Sequence, residues 1–332
     1  MWLPFQQSNR KIANLIIKDH VIRYIEIKSQ QPLVIAKYGE RLLPEGIIKD
    51  GKIVSEEMLE MVLEQCIHSW KIRKRRVRFL VPDPAIMIRR LTVPAHLKGE
   101  EIRGYLYMEL GETIPLPFAV PVFDFAALGQ VSEEEQEILL FAAPEQGVLQ
   151  YTKLLEKLKL KPIAADISPL SAYRFLCAFG DINPKEHSLL IQCDLTSVNV
   201  TVFHEHYPLF TRQLNVEMNT DKWQQVQIGE TQKFYYKWIG TEEELNLQFE
   251  DIVKEVDRVM SFYRFSFQRG EQEINRIFVI GDHPFFQHIY KRMATRFSIP
   301  VEHIDDEVAV SLGDPLDRSY YLPLGLALKE VR

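Results

Sequence analysis

The chain has 332 residues, of which 46% are hydrophobic and 26% charged, and its formal net charge is -6. That length suits two domains or more, that composition is ordinary for a globular protein, and the acidic balance excludes a general nucleic-acid binder, which would carry a basic face. Cys66, Cys177 and Cys193 are far apart and odd in number, which excludes a metal-binding spacing or a disulfide framework and implies a reducing compartment.

The opening residues, MWLPFQQSNRK, offer Trp2, Leu3 and Phe5 as a weak membrane toe-hold. No apolar run of spanning length follows, and the basic start and apolar core of a signal peptide are missing. Ala13–Arg41 reads as three antiparallel strands: Leu15–Ile17, Val21–Ile27 with Arg23 and Glu26 inside it, and a third from Leu33. Polar breaks at Lys18–His20 and Ser29–Pro32 separate them. Asp50–Gly51, between Ile47–Ile48 and Ile53–Val54, is a tight-turn signal. Ser55 caps a helix whose stripe of Met58, Met61, Val62, Cys66, Ile67 and Trp70 is expected in the core. The basic run Lys71–Arg78 closes that helix; it reads as a solvated helix end, or as a contact for an anionic membrane or partner. Strands follow at Val77–Val81 and Ala85–Leu91, on either side of Pro82–Asp83–Pro84.

The texture changes from Pro94. Lys98–Gly111 reads as a helix, and the prolines of Thr113–Pro121 forbid one there. Strands at Val122–Leu128 and Ile138–Ala142 flank an acidic turn at Glu133–Glu137; a helix at Gln146–Leu160 and a strand at Ile163–Ile167 complete a small α+β insert. Ser168 is expected to cap a helix to Phe179, with Pro169 in its first turn. After a polar linker, Ser188–Arg212 repeats the plan of Ala13–Arg41, strand–turn–strand–turn–strand, about 175 residues further on, the mark of a duplicated domain with a cleft between its halves. Glu217–Gly240 is polar with scattered aromatics and fits no element. Thr241–Phe267 is a long amphipathic helix, Glu273–Gly281 a strand and turn, Phe285–Phe297 a helix, Val301–Ile304 a strand, and Tyr320–Val331 is helical after Pro323.

No Walker loop, glycine-rich nucleotide fingerprint or zinc helix is present. His204 and His206 would share a strand face, and a solvent-facing turn is the expected use of the pair. The aromatics of Tyr263–Phe267 are expected in the core. Asp166 and Asp194 end or interrupt strands, where acids can hold a metal–nucleotide.

Several segments, in order, resemble the actin-like pilus-assembly proteins of the PilM type, relatives of the division protein FtsA: LLPEGIIKDGKIVSEEMLEMVL, VRFLVPDPAIMIRRLTVP, EIRGYLYMELGETIPLPFAVPVFDFAALG, LLFAAPEQGVLQYTKLLEKLKLKPIAADISPLSAYRFL, YPLFTR, VDRVMSFYRFS, INRIFVIG and LPLGLALKE. Glu217–Gly240 lies outside the resemblance. It implies an α/β, actin-like fold of the duplicated ribonuclease H-like kind: a first domain from 11 to 92, an inserted α+β subdomain from 93 to 166, a connecting helix and linker from 167 to 186, and a second domain from 187 to 332. It further implies a protein at the cytoplasmic face of the inner membrane, associated with it indirectly by gripping the N-terminal cytoplasmic tail of a bitopic PilN-like partner. That tail would lie in a groove between the first domain and the insert, with Tyr105, Met108, Ile114, Leu116 and Phe118 as contact residues, since an extended peptide needs apolar pockets for alternate side chains.

The sequence departs from the family at the nucleotide site. A phosphate-binding hairpin points backbone N–H groups inward and needs glycine for close approach. Where the family carries Asp–Ile–Gly twice, this chain has Ile16–Ile17–Lys18 and Gln192–Cys193–Asp194, and the double glycine near the adenosine is reduced to Gly281–Asp282. Lys18 is left to neutralise a phosphate by itself. Asp194 and Gly281 are the residual cofactor-site residues, no metal site is expected, and the expectation is a non-catalytic scaffold with no cofactor, serving a type IV pilus or a pilus-like DNA-uptake or secretion apparatus and contacting other pilus-assembly proteins. The alternatives are an ATPase or sugar-kinase-like enzyme binding ATP with magnesium, and a division adaptor of the FtsA kind, which would anchor by a C-terminal amphipathic helix that Lys329–Arg332 does not supply.

Overall fold

A computed structural model describes residues 12–227, 229, 234–267, 272–304 and 316–330; the apolar start at Trp2, Leu3 and Phe5 lies outside them. The first domain opens with β1 (Ile12–Ile17), β2 (Val21–Gln30) and β3 (Leu33–Leu42). A short ladder of β4 (Ile48–Lys49) and β5 (Lys52–Ile53) turns at Asp50–Gly51. Then α1 (Glu56–Trp70) leads to β6 (Arg76–Leu80). Next come β7 (Met87–Pro94), α2 (Glu100–Glu109), β8 (Pro121–Gln130), β9 (Glu135–Pro144), α3 (Glu145–Lys157), β10 (Lys161–Asp166) and α4 (Ser168–Phe179). The second domain holds β11 (Ser188–Cys193), β12 (Val198–His204), β13 (Tyr207–Gln213), β14 (Trp223–Gln227), β15 (Phe234–Trp238), α5 (Glu242–Phe262), β16 (Arg276–Ile280), α6 (Phe286–Arg296), β17 (Val301–Glu302) and α7 (Tyr321–Ala327).

The two main sheets share one topology. The first runs β10-β6-β1-β2-β3 and the second β17-β16-β11-β12-β13. In each, an antiparallel three-strand meander is extended by parallel strands on the side of its first strand. The repeat read at Ala13–Arg41 and Ser188–Arg212 is therefore a duplicated sheet. Burial follows from its pattern: β1 and β11 are buried along their whole length and are apolar apart from Asn14, Ser188 and Gln192.

The ladders cut the chain differently from the expected 93–166 insert. The third sheet, β7-β9-β8, begins at Met87 and carries α2 on one face. By contrast β10 pairs with β6 in the first sheet, and α3 buries Tyr151, Leu154 and Leu155 against Leu15, Val77 and Phe79. In α1 the buried residues are Leu59, Leu63, Cys66 and Ile67, while Met58 and Met61 are 45% and 56% exposed. Both methionines fall on the flank of a stripe centred on Leu59 and Leu63. Ser168 does not cap α4; its hydroxyl donates to Asp83 across the domain, and Ile167 takes the cap position. Tyr263–Phe267 is a π-turn with Tyr263 buried but Phe265 66% exposed. The unplaced stretch is a hairpin, β14 against β15, with Trp223 opposite Trp238.

The domains join through a shared core. Ile16, Ile25 and Leu80 of the first sheet meet Leu190, Phe278 and Ile280 of the second around α4 and α7. The two helices cross so closely that a Cβ on Gly325 would lie 1.9 Å from the Ser171 carbonyl oxygen. Buried Arg78 of β6 donates to the Leu326 and Ala327 carbonyls, and Arg174 of α4 to that of Gly325. Cations thus sit on the negative end of α7. Asp166 belongs to this junction: it pairs with Arg174 and lies 3.4 Å from Lys329. His204 ends β12 stacked on His187, whereas His206 sits in the following turn at φ +67, 3.2 Å from the Tyr173 hydroxyl. The two histidines therefore do not share a strand face.

Candidate functional site: a sealed cleft and an open groove

The cleft between the sheets is where the twin hairpins face each other. In the first, Lys18, Asp19 and His20 turn β1 into β2; Lys18 N–H donates to the Val21 carbonyl at 2.9 Å. In the second, Asp194–Ser197 turns β11 into β12, and Asp194 N–H donates to the Ser197 carbonyl at 2.9 Å. Lys18 and Asp194 form an ion pair directly across the cleft. The residue that replaces the first hairpin's glycine thus binds the acid of the second.

A second bridge lies beside it. Asp282, just past β16, pairs with Arg23 of β2, lies 2.9 Å from His20 Nε2, and accepts the Leu195 N–H at 3.2 Å. Arg23 also holds Glu40 at 2.5 Å. Asp83, in the turn after β6, completes the network from the first domain. It is 3.7 Å from Lys18 and accepts from Gln192 at 3.2 Å and Asn199 at 3.3 Å. Gln192 also donates to Asp194 at 2.6 Å.

The electrostatics are those of a buried salt network. Burial works against the Lys18 charge, but the carboxylates of Asp194, Asp83 and Asp282 outweigh it and raise its pKa. Burial likewise works against the Asp282 carboxylate, yet His20, Arg23 and Lys18 hold its pKa well below the usual range. For Asp194 burial prevails over the pull of Lys18, and with Asp282 and Asp83 nearby its pKa rises. Burial is thus the main reason that Asp194 holds its proton more tightly than a free carboxyl, and the nearby Asp282 and Asp83 carboxylates add to it.

Little space remains between the hairpins: about 10 Å³ is bounded by Lys18, Asp194, Gly281 and the start of α7, the room of about one water. Beyond Arg23 and Asp282 the cleft widens to an opening of about 650 Å³ walled by Glu40, Tyr235, Tyr236, Trp238 and Phe285. On the other side of Lys18 the gap bounded by Asp19, Gly51 and Ser197 is about 40 Å³. Gly281 has φ +130, and a Cβ there would lie 1.9 Å from the Cys193 carbonyl oxygen. The glycine lets the end of β16 press against the end of β11, a packing role at the position expected to be a cofactor relic.

Next to Asp282, His283 is buried among Trp223, Phe249 and Phe285. Burial lowers its pKa from 6.5 to about 4, against Asp282, which raises it. The folded state therefore keeps His283 neutral while the unfolded chain binds a proton between pH 4 and 6.5. Stability is full above 6.5 and is lost as pH falls toward 4. The drop corresponds to about 3 kcal/mol. Denaturant titrations across this window should show a wild-type stability loss larger by about that amount than in His283→Gln; equal slopes would contradict the assignment.

The second space is a groove of about 680 Å³ between the first domain and the third sheet. Its walls are the Asp50–Ile53 turn and the α3 face of Val148 and Tyr151 on one side, and Ile86, Met87, Pro117 and Phe118 on the other. The Asp50–Gly51 turn is fixed from the cleft: Asp19 accepts both N–H groups, at 2.7 and 3.0 Å. Of the residues expected here, Phe118 lines the groove. Tyr105 and Ile114 pack, partly buried, onto the Ile102–Leu106 face of α2, and Leu116 is half-buried outside the lining. Met108 stands 69% exposed on the outer side of α2. Met87, Val148 and Tyr151 were not anticipated, because a wall shared by separate elements leaves no periodic signal.

No curated protein matches the sequence. In structure the chain is similar to that of the PilM-PilN type IV pilus biogenesis complex, with 17% identity, a TM-score of 0.71, and coverage of 96% of this chain and 98% of that one. It is also similar to the ethanolamine utilization protein EutJ from Carboxydothermus hydrogenoformans, with 9% identity, a TM-score of 0.51, and coverage of 95% and 88%. These likenesses show the fold, the two-domain actin-like one. Residues 15–330 match the family described as type IV pilus assembly protein PilM, and with nearly the whole chain so matched, the protein belongs to that family.

Proposed function

We propose that this type IV pilus assembly protein is a non-catalytic scaffold that grips the cytoplasmic tail of a PilN-like bitopic membrane protein at the inner face of the plasma membrane. The observation that supports this reading best is a contrast between two spaces. Between the twin hairpins, where the resemblance puts the phosphates, the chain's own charges leave about 10 Å³, with a wide, mostly aromatic-lined opening of about 650 Å³ only on the far side of Arg23 and Asp282, whereas the groove beside the cleft offers about 680 Å³ with apolar walls. A scaffold needs the groove and not the phosphate site. The groove has the apolar walls that an extended peptide's side chains need, from Met87, Phe118 and Val148. The PilM–PilN complex among similar structures agrees with such a partner. Among the described residues no helix is long and apolar enough to cross a membrane, so the grip on the tail would supply the attachment.

A synthetic peptide of the partner's N-terminal tail should bind the full chain in calorimetry. Phe118→Asp and Met87→Asp should each weaken it at least about tenfold, since a charge buried without a partner costs more than about 1.4 kcal/mol. Absence of binding by the wild type, or unchanged affinity in both variants, would remove the groove from the account.

A further inference from the structure

The end of the first sheet opposite the groove carries a concentration of cations that neither the cleft nor the groove uses. Two loops meet there. Residues 71–76 read KIRKRR and residues 157–161 read KLKLK, with no acid in either. Lys74 N–H donates to the Lys159 carbonyl at 2.9 Å and Lys161 N–H to that of Arg75 at 2.8 Å, so the loops form one surface. Ile72, Leu158 and Leu160 are buried beneath it, and Lys71, Arg73, Lys74, Lys159 and Lys161 are exposed. Two cations in the loops have acid partners: Arg75 reaches Glu26 at 4.0 Å and Lys157 holds Glu60 at 2.5 Å. Among the described residues no carboxylate pairs with Lys71, Arg73, Lys74, Arg76, Lys159 or Lys161.

The backbone adds an independent observation. Lys71, Lys74 and Lys159 lie at φ +58, +64 and +64. The left-handed conformation costs a side-chain-bearing residue about 1–2 kcal/mol, and glycine occupies it freely. At three turns of one surface the chain has lysine where glycine would fit better, so the charge is kept against a local penalty.

The topology joins this surface to the start of the chain. In the ladder β1 Ile12 lies beside Arg76, and Arg76 beside Lys161. Ile12, the first described residue, therefore lies at the basic end. The sequence before it contains Trp2, Leu3 and Phe5, then Arg10 and Lys11. Apolar side chains with an aromatic suit a bilayer interface, and one short apolar segment needs a polybasic patch beside it to hold.

We infer that the basic end of the first domain docks directly on an anionic lipid surface. This contact is separate from the grip on a partner's tail and adds a direct attachment to the indirect one. It also sets an orientation: the groove lies past the far end of β6, whose five residues span about 16 Å, so the tail has to reach that far from the bilayer before it is gripped.

The test uses the full chain and vesicles of phosphatidylcholine with and without phosphatidylglycerol, read by co-sedimentation. Binding should require phosphatidylglycerol and should vanish between about 0.1 M and about 1 M salt, as the Debye length falls from about 10 to about 3 Å. Lys71→Glu, Arg73→Glu, Lys74→Glu and Lys159→Glu together should reduce it more than about tenfold, each cation near such a surface being worth roughly a factor of five. Trp2→Ser with Phe5→Ser should weaken it while leaving it salt-dependent. The charge-reversed chain should keep its thermal unfolding transition and its affinity for the tail peptide, which separates failure of this idea from failure of the groove. No vesicle binding, equal binding to neutral vesicles, equal binding by the charge-reversed chain, or binding to an acidic peptide or RNA without vesicle binding would each overturn it.

Discussion

Lys18→Met should destabilise the folded protein by about 3–5 kcal/mol, because it leaves a buried carboxylate without its cation. Asp194 is 3% exposed and Asp83 shares the same ammonium group. The cost should depend on pH in a defined direction. Without Lys18 the counter-charge that opposes the effect of burial on Asp194 is gone, and its folded pKa rises further above the unfolded value. An acid raised in this way binds more protons folded than unfolded over that interval, so the variant regains stability as pH falls. Denaturation of Lys18→Met at neutral and mildly acid pH should show its deficit shrinking toward the acid side. Asp194→Asn in the same chain keeps an acceptor for Gln192 and removes the orphaned charge. The double variant should recover most of the loss. If the double variant is as unstable as the sum of the two single ones, the pair is not a coupled bridge.

Gly281→Ala should cost about 2–5 kcal/mol. The new methyl would meet the Cys193 carbonyl at 1.9 Å, and that oxygen belongs to the backbone of a central strand and cannot swing aside. Overpacking of a tight interior costs about 1–3 kcal/mol, and a positive φ adds about 1–2 for a residue with a Cβ. The prediction separates two meanings of this glycine. A relic of nucleotide binding should tolerate alanine in stability measurements, with a change within about 0.5 kcal/mol. A brace between β16 and β11 should not.

The sequence made the sheets legible because alternation at period two marks a strand wherever it occurs. Both meanders, and hence the duplication, could be read from Leu15–Ile17, Val21–Ile27 and their counterparts at Ser188–Arg212. The charges inside β2 were visible as well, but their partners were not. Arg23 meets Asp282 across 259 positions and Lys18 meets Asp194 across 176; no local pattern encodes a contact between domains. Asp83 gave no signal beyond its place between two prolines. The groove was located by resemblance, yet of the five residues expected in it only Phe118 lines it, since helical periodicity turns Tyr105 inward and Met108 outward on α2. The hairpin of β14 and β15 escaped notice because its strands carry runs of Gln or Tyr, with the two tryptophans as its paired anchors.

The physical account rests on one substitution of roles. Where a phosphate cradle would bring a ligand's charge between the domains, this chain brings its own: Lys18 from one hairpin and Asp194 from the other, with Arg23 and Asp282 beside them. A buried network of this kind is a weak source of net stability, but removing one member is costly. On the proposed non-catalytic reading, the network also engages the cations, Lys18 and Arg23, that a nucleotide's phosphates would otherwise pair with.

Titration of the purified full chain with ATP and magnesium, followed by calorimetry, tests this most directly. The account predicts no saturable heat up to millimolar nucleotide, in the wild type and in Asp194→Ala alike. Micromolar, magnesium-dependent binding that disappears in Asp194→Ala would contradict it.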